Sequence, residues 1–94
     1  MELKTEEITI EGIKFKIREL DTDQFLNMSG LTNQGEANRK LLEMAVVEPK
    51  VTRDYLKKLP VRTGIKLIME TLRICGLDKD FLSGLEESLK MKVG

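Results

Sequence analysis

From residue 6 to residue 18 the chain alternates apolar and polar positions. Ile8 and Ile10 form one such run, Ile13, Phe15 and Ile17 another, and Glu11-Gly12 separates them. A period of two is the pattern of a strand with one covered face, and two such runs joined by a Gly-containing pair predict a β-hairpin. With Glu11-Gly12 as a two-residue loop, Ile10 lies opposite Ile13 and Ile8 opposite Phe15, so all five apolar side chains share one face. A two-stranded hairpin is marginal alone in water. Helices from the rest of the chain must pack on it, or another chain must add strands to its edges.

After Arg18 the spacing becomes helical. Asp21 is placed as an N-cap, with Gln24 able to reach back to it and Leu20 set to pack on Phe25 as a hydrophobic staple. This first helix is short, because Ser29-Gly30 and the polar run Thr32-Asn33-Gln34-Gly35 interrupt it, and residues 30–35 are the expected mobile loop. A second helix is predicted from about Glu36 to Val47, carrying Ala37, Leu41, Leu42, Ala45 and Val46, with Pro49 disfavouring helical geometry at Glu48. Thr52 caps a third, short helix, stapled by Val51 and Leu56, which Pro60 interrupts. The fourth runs from Val61 or Arg62 to Cys75, closed by Gly76 in the position that favours a left-handed residue. Asp78 caps a fifth, which Leu77 and Leu82 can staple and which Phe81, Leu82, Leu85 and Leu89 line on one side. The prediction is an α+β fold over a single domain, residues 1–94: a hairpin (6–18) packed on a small bundle of four to five helices (21–91), mostly α.

The fourth helix is apolar on two sides. At 100° per residue, Ile65, Ile68, Met69, Leu72 and Cys75 form one wide stripe, while Leu67 and Ile74 point to nearly the opposite side. Only Thr63, Lys66, Glu70 and Arg73 make a polar strip. Either this is a central helix packed on both sides by its own chain, or one side is covered by a partner. In a domain of 94 residues there is little other chain to bury both sides.

Composition narrows the chemistry. Hydrophobic residues are 40% and charged residues 34% of the chain, ordinary for a folded protein, and the 16 basic and 16 acidic side chains cancel. Zero net charge gives no global attraction to nucleic acid or anionic lipid and little repulsion between copies, so a homo-oligomer is unopposed. A lone Cys75 allows no internal disulfide, and the N-terminal residues lack a secretory pattern, so a soluble, intracellular protein is expected. There is no His and no Trp. That removes the commonest general base and metal ligand, and with them the partner of most Ser or Cys nucleophiles.

No catalytic, cofactor-binding or metal-ligating residue is therefore assigned. The acidic residues Asp78, Asp80, Glu86 and Glu87 sit at helix starts or on polar faces, where carboxylates are ordinary. Cys75 lies in an apolar stripe, as a small hydrophobe does. Lys57, Lys58, Arg62, Lys66 and Arg73 gather positive charge around Pro60, which admits a small nucleic-acid-binding regulator as an alternative. A recognition helix, however, needs a broader polar face than this one offers.

Several short segments together suggest a family. Ile17-Arg18-Glu19-Leu20 leads into a capped Phe25-Leu26 helix, followed by Met44-Ala45-Val46-Val47-Glu48-Pro49-Lys50-Val51, Leu59-Pro60 with Gly64, and Leu72-Arg73-Ile74-Cys75-Gly76-Leu77. Over residues 13–82 this order resembles the tail assembly chaperones of long-tailed bacteriophages and related proviruses, most of all those of the XkdN-like kind. The resemblance implies a non-enzymatic protein of the host cytoplasm. Its partners would be the tape measure protein, which it keeps soluble, and the tail tube protein, and it would be absent from the mature virion. A structural tail or head-completion component is a further alternative. The family fixes no contact residues. Exposure logic assigns Val46, Val47, Pro49, Leu67 and Ile74 to partner binding, with Leu67 and Ile74 supplying the second apolar side of the fourth helix.

Overall fold

The computed structural model describes residues 2–77. Strands β1 (Thr5–Ile10) and β2 (Ile13–Arg18) form the expected hairpin, with Ile10 opposite Ile13 and Ile8 opposite Phe15. Glu11 and Gly12 both take positive φ, 51° and 79°, the backbone that lets a two-residue loop follow the right-handed twist of its strands. Phe15 and Ile17 are fully buried, while Thr5, Glu7, Thr9, Lys14, Lys16 and Arg18 fill the other, exposed face.

Helix α1 (Thr22–Ser29) starts on the predicted capping box: the Asp21 carboxylate accepts from the Gln24 backbone N–H at 2.7 Å, and the Gln24 side chain accepts from the Asp21 N–H at 3.0 Å. Helix α2 (Gln34–Ala45) begins two residues earlier than predicted, because the Asn33 side chain accepts from the Glu36 N–H and caps it. Gln34 and Gly35 thus belong to the helix, and only residues 30–33 remain between α1 and α2.

The larger correction is at the other end of α2. Val46 is not helical. Val46–Glu48 forms β3, which joins β2 antiparallel with Ile17 opposite Val46 and Lys16 opposite Glu48, so the sheet has three strands in the order β1-β2-β3. Two β-branched valines and a proline that excludes helical geometry from the preceding residue both favour extended backbone here, and the Glu48–Pro49 bond is cis.

Thr52 caps α3 (Arg53–Lys58), accepting from the Tyr55 N–H at 3.1 Å, and α4 spans Val61–Ile74. The fold is α+β, with four helices among the described residues. The core lies where α2 and α4 meet one face of the sheet, joining Phe15, Ile17, Leu42, Ala45, Val46 and Leu67. The fifth helix expected from Asp78 falls outside the described residues. No helix among those described is long and apolar enough to cross a membrane.

Candidate functional site

Helix α4 decides which surfaces remain for a partner. It follows Pro60, whose fixed φ suits a helix start. It ends in two hydrogen bonds that reverse the chain: the Gly76 N–H donates to the Arg73 carbonyl at 3.1 Å and the Leu77 N–H to the Leu72 carbonyl at 2.7 Å, with Gly76 at φ 75°. This is the paired closure that a left-handed glycine permits.

The rotation of α4 about its axis overturns the expected surface. Its buried residues are Thr63, Leu67, Thr71 and Ile74. Leu67 is 0% exposed and packs in the same core cluster as Ile74 and Val46. Assigning Val46, Leu67 and Ile74 to partner binding is therefore corrected: all three are core. The helix presents this narrower side because two threonines complete it. The Thr71 hydroxyl donates to the Leu67 carbonyl at 2.7 Å, so its polar atom is satisfied within the helix and its methyl is free to pack. Of the remaining two expected residues, Val47 is exposed on β3 and Pro49 is half-buried beyond it. The five do not form one surface.

The opposite side of α4 carries the exposed apolar groups. Val61, Ile65 and Met69 are 79%, 53% and 62% exposed, and Ile68, Leu72 and Cys75 are half-buried beside them. Positions 61, 65, 68, 72 and 75 follow a spacing of 4, 3, 4 and 3, the repeat with which one helix packs along another. At its N-terminal half this seam borders an open groove lined by Leu42, Leu56, Gly64 and Ile68. At its foot a second hollow is lined by Leu20, Phe25, Cys75 and Leu77. The wide stripe was visible in the sequence; that Ile65 and Met69 face outward while Ile68 and Cys75, at its edge, pack against the core was not.

The cations beside the seam are already engaged. The Lys66 ammonium donates to Glu11 at 2.8 Å with Arg62 at 3.9 Å from the same carboxylate, and Arg73 bonds both Glu70 at 2.7 Å and Glu6 at 3.1 Å. The Lys66 hydrogen bond and charge, helped by Arg62, hold the Glu11 carboxyl below its ordinary range, and the carboxylates of Glu70 and Glu6 push the Arg73 guanidinium up. Lys57 and Lys58 sit in the last turn of α3, where positive charge suits the helix end. Three of the five residues proposed for a phosphate-binding patch thus face carboxylates.

No group of three or more His, Cys, Asp or Glu side chains among the described residues is placed to hold a metal ion. Burial pushes the Cys75 thiol up, with a hydrogen bond to the Leu20 backbone opposing and Glu19 adding to the rise, so the thiol stays protonated near neutral pH. Burial also raises Tyr55.

Fold and site together define a small α+β protein whose principal feature is an outward helical seam. Comparison with protein-family models, curated proteins and solved structures finds no match for this chain.

Proposed function

We propose that this protein is a phage or provirus tail assembly chaperone, which holds an amphipathic helix of the tape measure protein against the outward seam of α4 and so aids tail tube assembly. The observation that carries this reading is the exposed Val61-Ile65-Met69 row, with its heptad-like continuation through Ile68 and Leu72. The order of short segments between residues 13 and 82 supplies the choice of family.

The energetics favour apolar capture. Each of the three exposed side chains contributes about 1.5–3 kcal/mol when fully covered, whereas surface ion pairs contribute about 0–1 kcal/mol and are screened by salt. Apolar contacts along a helix also tolerate sequence variation in the bound partner, which suits a chaperone for a long chain. In this reading the protein acts without catalysis, metal or cofactor in the host cytoplasm, and leaves before the particle is complete.

Co-expression with the tape measure protein, followed by size-exclusion chromatography at low and high salt, tests it. A complex that keeps the long chain soluble at both salt concentrations is expected. Ile65→Glu with Met69→Glu should abolish that complex while circular dichroism stays unchanged. Recovery of the protein in purified particles would make it a virion component instead, and binding lost steeply with salt would favour the nucleic-acid regulator.

A further inference from the structure

We propose that two copies of this chain pair antiparallel through the outward faces of their α4 helices, in a reversible dimer with two-fold symmetry. Such pairing does not depend on which other partner the row takes.

Charge selects both the occupant and its direction. Val61, Ile65 and Met69 recur every four residues on the exposed side of α4. Arg62, Lys66 and Glu70, each one residue further on, form a charged row along one flank. The other flank, Gly64 and Ile68, is apolar and borders the groove with Leu42 and Leu56. A two-fold axis across antiparallel helices sets each flank against its own copy, charged against charged and apolar against apolar. With the axis level with Lys66, Arg62 of each copy lies opposite Glu70 of the other, and Met69 enters the gap between Val61 and Ile65. A parallel pair would instead lay the charged row against the apolar flank.

The charges are placed for this exchange. The Arg62 side chain is 75% exposed and reaches Glu11 only at 3.9 Å, and Glu70 gives one carboxylate oxygen to Arg73 at 2.7 Å. Lys66, at the axis, is neutralised by its own Glu11 at 2.8 Å, so the two lysines can approach. The size of the face sets the strength. Helix α4 has 14 residues and offers a strip about 21 Å long and about 10 Å wide, far below the roughly 800 Å² that each partner buries in a stable complex. The dimer is therefore weak and exchanges with monomer.

The test is sedimentation equilibrium of the full chain from micromolar to millimolar concentration. A monomer–dimer equilibrium is expected; monomer throughout, or assemblies larger than a dimer, overturns the proposal. Arg62→Glu and Glu70→Arg should each weaken the dimer roughly tenfold, and the chain carrying both should recover it, because the charges then pair in exchanged positions. Undiminished association of either single variant, or no recovery in the double one, overturns the antiparallel arrangement. As a second measurement, on the unaltered chain, dilution over the same range should shift the amide resonances of residues 61–70 and not those of β2. No shift on α4 would also overturn it.

Discussion

At the scale of single residues, three positions separate backbone demands from packing demands. Gly12 has φ 79° and nothing within 4 Å of where a Cβ would stand, so Gly12→Ala meets no clash but does meet the left-handed penalty. A loss of about 1–2 kcal/mol is expected in chemical denaturation. Gly64 lies inside α4, where an added Cβ would meet only Leu59 at an ordinary 4.0 Å, and Gly64→Ala should gain about 0.5–1 kcal/mol by the same measurement. Glu11 joins the turn to α4 through Lys66, which lowers its carboxyl in the folded state. A lowered carboxyl stabilises the fold above its unfolded value and loses that contribution as pH falls through the folded one. The difference in urea midpoint between the natural chain and Glu11→Gln should hold steady above about pH 5, shrink to nothing on acidification, and be smaller in high salt.

At the scale of elements, α4 shows what the sequence carried and where it stopped. The hairpin, its register, the Asp21 and Thr52 caps and the Gly76 closure were legible because each depends on side chains within a few residues of one another. Strand β3 was not, since three residues show no period and Val46 extends the helical pattern of α2 as well as it starts a strand. The inward face of α4 was misread for another reason. Hydropathy treats Thr63 and Thr71 as polar, whereas Thr71 closes its hydroxyl on the Leu67 carbonyl and both threonines are buried. Once they count as core, positions 63, 67, 71 and 74 form one face. Leu67 lies at its centre with no exposure, so Leu67→Ala should cost about 2–5 kcal/mol. That is a large share of the roughly 5–15 kcal/mol that holds a domain folded, and thermal unfolding followed by circular dichroism should show a lowered midpoint. Retention of full stability would return Leu67 to the surface.

At the scale of the whole molecule, the outward row of α4 has to take a partner without joining copies of a chain that carries no net charge to keep them apart. Capture of a tape measure helix and association between copies would both use Val61, Ile65 and Met69, so the two compete. If nine copies in ten are joined through that row, a tape measure helix finds the competent surface in one of ten, and its apparent affinity is about tenfold below the intrinsic value. Titration of a labelled tape measure helix at falling protein concentration should then show binding that tightens by up to about tenfold. Ile65→Glu with Met69→Glu should remove both the association and the binding, because one surface serves both. Binding that does not change with protein concentration would have the opposite meaning: the row would serve the partner alone.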